Sequence, residues 1–181
     1  MKHSIQVTPF RQANVWIDEA PPAAYVTSSI VRTVVKPRIA IVPVRTIAGV
    51  EVNFFHGGRS SYALLGAELI EAESDDFEVC VSVNSDGPPF GAALAPGIDK
   101  IRIGLPDEYA QAVISGAIRF AENVAAPSKR KLWFRWAAHG LIGSSSFVFE
   151  QVSEIVAQLL LSPTVWDESQ VRVLIENLPA A

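Results

Sequence analysis

Residues 1–20 show no clear periodicity, but from residue 29 to about residue 103 the apolar residues of this chain fall in short β-branched or alternating runs. Beyond it, with one exception, they recur at helical spacing. That change of period constrains the fold more than any other feature, because a two-residue period buries one face of a sheet and a 3.6-residue period buries one stripe of a helix. "SIVRTVV" at 29–35, "RIAIVPV" at 38–44, "VEVNFF" at 50–55, "YALLGAELIEAE" at 62–73 and "DFEVCVSV" at 76–83 read as strands of an antiparallel region. The last two are joined by the polar turn Glu73 to Asp76, and a short run, "KIRIGL", follows the Gly/Pro-rich loop "NSDGPPFGAALAPG".

A helix is expected from Pro106, Asp107 and Glu108, since proline at the first helical position forfeits only an orphan donor and carboxylates favour the positive end of the dipole. Its apolar stripe is Tyr109, Ala112, Val113, Gly116, Ala117, Phe120, Ala121 and Val124, with Gly116 permitting close approach to a sheet. The exception to the change of period, "RKLWFRWA" at 130–137, reads as a further strand. Ser144 to Ser146 can cap a second helix with the stripe Val148, Val152, Ile155, Val156 and Leu159, ended by Ser162-Pro163. In the last segment Asp167 is a candidate cap, while "VRVLI" fits either a helix or a strand. Strands followed by two main helices predict an α+β fold with helices on one face of a mostly antiparallel sheet.

The chain has 181 residues, 49% of them hydrophobic, enough for a substantial core. Its formal charge of −4 is unevenly spread: residues 1–60 carry +4, residues 61–128 carry −8 and residues 129–181 balance. A wholly basic nucleic-acid surface is thereby excluded, local patches are not. The single cysteine, Cys80, reads as a buried structural thiol. The amino terminus lacks the apolar core of a secretory signal and no stretch approaches the roughly 20 apolar residues of a membrane span, so a cytoplasmic protein is expected.

Four groups of residues can carry chemistry. Gly57-Gly58-Arg59 can hold an anion through backbone N–H groups and a guanidinium, or can be a hairpin turn at positive φ. No Walker spacing is present, so no nucleotide is expected. His3, His56 and His139 stand too far apart for a metal-ligand motif, and Ser60, His139 and Asp86 lack a Gly-x-Ser-x-Gly elbow; neither a metal, a cofactor nor a catalytic residue is expected. The acidic run "EAESDDFE" reads as a solvated turn. In "SKRKLWFRWAAHG" at 128–140, Lys129, Arg130, Lys131 and Arg135 alternate with Trp133, Phe134 and Trp136, a mixture suited to RNA. Equally, Leu132, Phe134 and Trp136 can face a core while Lys131, Trp133 and Arg135 face outward.

In order, "PPAAYVTSSIVRTV" at 21–34, "GGRSSYALLGAELIEAE" at 57–73, "IGLPDEYAQAVISGAIRFAEN" at 103–123 and "GSSSFVFEQVSEIVAQLL" at 143–160 resemble domain IV of elongation factor G and related ribosomal translocases. The resemblance spans residues 21–162. It implies a two-layer α+β sandwich of the ribosomal-protein-like kind with a left-handed β-α-β crossover, where parallel crossovers are otherwise right-handed. It also implies a non-enzymatic module that binds the ribosome or another structured RNA through a tip made by the Gly57-Gly58 loop and the loop from His139 to Gly143. Gly57, Gly58, Arg59, Ser61, Lys129, Arg130, Lys131, Arg135 and His139 would lie near that contact. The chain departs from the family at Ser60 and Ser61, where Gly and Gln are usual, and His139 stands one place out of register. A protein-interaction or self-associating module that kept the scaffold is the alternative. Residues 1–20, expected as an arm, and 163–181, expected as an appendage, either cover the sheet of their own chain or exchange with a second copy in a homodimer.

Overall fold

The computed structural model describes residues 1–36, 45–95, 97, 99–123 and 126–179. Strands β1 (Lys2–Thr8), β2 (Arg11–Ile17), β3 (Ser29–Val35), β4 (Ile47–His56), β5 (Arg59–Glu71), β6 (Phe77–Val83), β7 (Ile101–Ile103) and β8 (Arg130–Gly140) form one eight-stranded sheet. Its order is β1-β2-β4-β5-β8-β6-β3, with β7 paired to β8. Every pairing is antiparallel except that of β6 with β8. The helices are α1 (Asp107–Asn123), α2 (Ser146–Leu161) and α3 (Glu168–Glu176). None is long and apolar enough to cross a membrane. The expected strand at 38–44 lies outside the described residues.

Alternation along the central strands sorts side chains to two faces. Val50, Val52, Ala63, Leu65 and Ala67 join Val113, Ala117, Phe149, Val152 and Val156 of the helices in the main core. Trp16, Tyr62, Leu64 and Ala138 belong to a smaller cluster on the other face with Ala23. Segment 18–28 crosses that second face: Ala24 bridges Trp136, and the Tyr25 hydroxyl donates to the Ser82 carbonyl at 2.6 Å.

Several sequence expectations change here. β5 and β6 are not neighbours, despite the short turn between them, because β8 lies between them, returning parallel to β6 after α1. Opposite Gly66 and Ala67, β8 carries a bulge that skips Arg135 and flips the parity of the remaining residues of the strand. Leu132 and Phe134 therefore face the core as expected, but the next core residue is Ala137, and Trp136 shares the outer face with Trp133 and Arg135. On α1 the buried stripe is Ala110, Val113, Ile114, Gly116, Ala117 and Ala121, so Tyr109 and Phe120 sit at its margin. Gly116 approaches helix α2 rather than the sheet.

The expected arm and appendage are parts of the same core. β1 and β2 form a hairpin that extends the sheet beyond β4, and α3 packs on β1. Ile5, Ala13, Val15, Ile17, Trp166, Val171 and Ile175 are buried together with the helices. Arg11 donates to the Ile175 and Leu178 carbonyls, and Arg172 to that of Gln6, tying the two ends of the chain to one another. Most of the apolar residues that could have sought a second copy are thus covered within one chain. "VRVLI" is helical, started by a capping box in which Asp167 accepts from the Gln170 backbone and the Gln170 side chain accepts from that of Asp167.

Candidate functional site

Register decides which turns share an end of the sheet. Arg11 of β2 stands opposite Phe54 of β4, His56 opposite Arg59, and Gly140 of β8 opposite Ile101 of β7. Three connections therefore meet at one end: the β1–β2 turn at Phe10, the β4–β5 turn at Gly57-Gly58, and the β8–α2 loop at 141–145. The last two touch. Tyr62 donates its backbone N–H to the Gly143 carbonyl at 2.9 Å, and the Ser144 hydroxyl donates to the Tyr62 carbonyl at 2.7 Å. Between them lies a cleft of about 470 Å³ lined by Phe55, Gly58, Arg59, Ser60, Asp99, Ile142 and Gly143.

Each part of this tip has a local cause. Gly57 and Gly58 sit at φ of 57° and 81°, which completes a two-residue hairpin turn and leaves the exposed Arg59 at the first position of β5. Asp99 accepts from the N–H groups of Ile142 (3.1 Å) and Gly143 (2.8 Å), so its carboxylate is spent on shaping the β8–α2 loop. Behind the cleft Glu51 is 1% exposed and accepts from Asn14 (2.8 Å), the Tyr62 hydroxyl (2.9 Å) and the Leu94 N–H (2.8 Å). That carboxylate fastens the 84–95 segment at Leu94 over β4 and β5. Burial, reinforced by Glu51, pushes the Tyr62 hydroxyl far above the usual phenol range, so it stays a donor.

The structure divides the expected RNA-contact residues. Gly57, Gly58, Arg59 and Ser61 are at the tip. Lys129, Arg130 and Lys131 are at the opposite end, because Arg130 stands opposite Glu71; the twelve steps of β5 from Arg59 to Glu71 span roughly 40 Å. There Lys129 pairs with Asp75 at 3.2 Å and Lys131 with Glu78 at 3.6 Å, so the acidic turn and the basic strand compensate one another. Arg135, in mid-strand, pairs with Glu68 at 2.6 Å and lies over the rings of Trp133 and Trp136. His139 is 4% exposed and Nδ1–H donates to the Gly104 carbonyl at 3.0 Å, so it holds the β7 end against β8 and is not free to touch a ligand.

Residues the sequence did not single out join the tip instead. Phe10 (63% exposed) and Phe55 (42%) lie with ring centroids 6.2 Å apart, and Ile142 is 78% exposed. Exposed Lys100 and Arg102 flank the β8–α2 loop, whose Leu141 N–H donates to the Lys100 carbonyl. Arg59, Lys100 and Arg102 enter no ion pair among the described residues. No protein-family model and no curated protein matches the chain. Among the described residues no group of His, Cys, Asp or Glu is arranged to hold a metal ion.

Two measurements check these roles at the tip. Arg59→Ala leaves the melting temperature almost unchanged, since an exposed charge contributes at most about 1 kcal/mol. Gly58→Val lowers it, because a β-branched residue at that φ costs roughly 1–3 kcal/mol although its Cβ would meet nothing within 4 Å.

His139 gives a pH signature. Burial, only partly offset by the Gly104 carbonyl, lowers its pKa below the ordinary 6.5. Below about pH 6.5 the unfolded chain therefore takes up a proton that the folded chain refuses. Stability is full above that pH and falls as pH drops beneath it. Thermal melts from about pH 7.5 to pH 5 should show the fall, and His139→Phe should make it shallower; equal slopes would remove His139 as its source.

Proposed function

We propose that this chain is a non-enzymatic, domain IV-like module that binds the ribosome or another structured RNA through the tip built from the Gly57-Gly58 turn and the 141–145 loop. The observation that carries the reading is the meeting of these two loops at one end of the sheet, flanked by the exposed cations Arg59, Lys100 and Arg102. The order β4-β5-β6-β7-α1-β8-α2, with β8 returning parallel to β6, is consistent with the β-α-β connection that the resemblance implies, the short β7 lying between β6 and α1. On this reading that connection is left-handed and the sheet and helices form the two layers of a sandwich. The contact surface is then the tip, not the Lys129 to Arg135 strand, where Lys129, Lys131 and Arg135 are paired with Asp75, Glu78 and Glu68 and only Arg130 enters no ion pair among the described residues.

Co-sedimentation with purified ribosomes tests it. Binding is expected at low salt and lost at high salt, because phosphate contacts release counterions. Absence of binding at low salt would sink the reading. A protein target is the second reading, favoured by the exposure of Phe10, Leu141 and Ile142 around the cleft; it predicts association that is largely indifferent to salt.

A further inference from the structure

Resting on the RNA reading, we infer that the tip takes an unpaired nucleotide, its base against Phe55 and its phosphate against Arg59. Electrostatics alone would suit any phosphate backbone. What the tip adds is a recess with an aromatic wall. Phe55 lines one side of the cleft and Ile142 the other, while Phe10 extends the aromatic surface beyond Phe55. About 470 Å³ lies within the roughly 300–1,000 Å³ of sites that enclose small ligands.

A base inside a duplex exposes only its edges and cannot place a face on Phe55. Single-stranded loops, bulges and ends can, and it is there that proteins stack aromatic side chains on RNA. Arg59 begins β5 and lines the cleft, which places a cation beside such a base. Asp99 lines the same cleft, and its charged carboxylate accepts from the Ile142 and Gly143 amides on the loop side, so the phosphate is placed at Arg59 and away from that loop.

Phe55 is on the surface, so removing its ring tests recognition rather than folding. The probe is a short single-stranded RNA carrying one 2-aminopurine, with the same sequence in a duplex for comparison. The full chain should quench the probe in the single strand and not in the duplex. Phe55→Ala should abolish quenching and weaken binding about tenfold or more, Phe55→Trp should restore both, and Arg59→Ala should weaken binding and reduce its salt slope by about one. Single strand and duplex bound equally, or Phe55→Ala quenching like the parent, would overturn the unpaired-nucleotide site while ribosome co-sedimentation still supports the RNA reading. Failure of the parent to bind ribosomes and both probes at low salt would overturn the two together.

Discussion

Gly116→Ala is expected to destabilise the fold by about 3 kcal/mol. In an isolated helix the same change would help by about 1 kcal/mol, since alanine is the better helix former. Here the added Cβ would stand 2.0 Å from the Glu150 carbonyl oxygen and 2.2 Å from the Ser153 hydroxyl. The first is backbone of α2 and cannot rotate away, so the helices must separate. Their separation would disturb the Arg119 pairs with Glu150 and Glu154 and the packing of Val113 and Ala117 beneath them. Denaturant unfolding of the variant, beside Ser115→Ala on the exposed flank, decides it; a Gly116→Ala protein at least as stable as the parent would show that the helix–helix approach is looser than this contact requires.

Glu51→Ala is the second large loss, about 3 kcal/mol. Three donors converge on one buried carboxylate, and truncation leaves the Tyr62 hydroxyl, the Asn14 amide and the Leu94 N–H without it, each unmet buried group costing about 1–3 kcal/mol. The Asn14 oxygen still accepts from Ser4, but its N–H loses its acceptor. Leu94 keeps only the Asn53 amide on its carbonyl, so the 84–95 segment should loosen first and its amides should exchange faster with solvent than those of β4. Glu51→Gln, which keeps one accepting oxygen, should lose less than half as much. Equal losses in the two variants would mean that shape, not the carboxylate, holds the loop.

These two residues show where the sequence was readable and where it was not. Gly116 stood out because a glycine interrupts a helical stripe, yet nothing in the stripe says whether a sheet or a helix lies opposite. Glu51 reads as an ordinary outward residue of an alternating strand, and only the fold brings Tyr62 and Leu94 to it. Strands β3 to β6 and β8 followed from periodicity, and the turn at Gly57-Gly58 from two adjacent glycines that take positive φ easily, but β1 and β2 did not, because residues 1–20 show no clear period and were expected as an arm. Pairing did not follow, because an apolar pattern reports burial and not the neighbour. β5 and β6 looked like a hairpin for that reason. The bulge at Arg135 was equally hidden, and with it the side that Trp136 takes. For α3 the decisive signal was present as Asp167 and Gln170, three residues apart, a capping box that outweighs the β-branched character of "VRVLI". The tip was legible only in its glycine turn. Phe10, Phe55, Lys100 and Ile142 lie far apart in sequence and become neighbours through the register of β2 on β4 and of β7 on β8.

The position of β8 bears on how the chain is made. As a ribosome extends it, β4, β5 and β6 emerge well before residues 130–140, and until those arrive β5 and β6 each keep one edge without its partner. Closing the sheet then joins Arg130–Ala138 to strands formed some 50 to 75 residues earlier, a long loop whose ordering entropy must be met before any of the new ladder is gained. A nascent chain that stops short of Arg130 therefore exposes Val79, Val81, Leu65 and Leu69 along two open edges, which is the form most prone to sticking to its own kind. The last strand to be synthesised is the one that makes the sheet continuous.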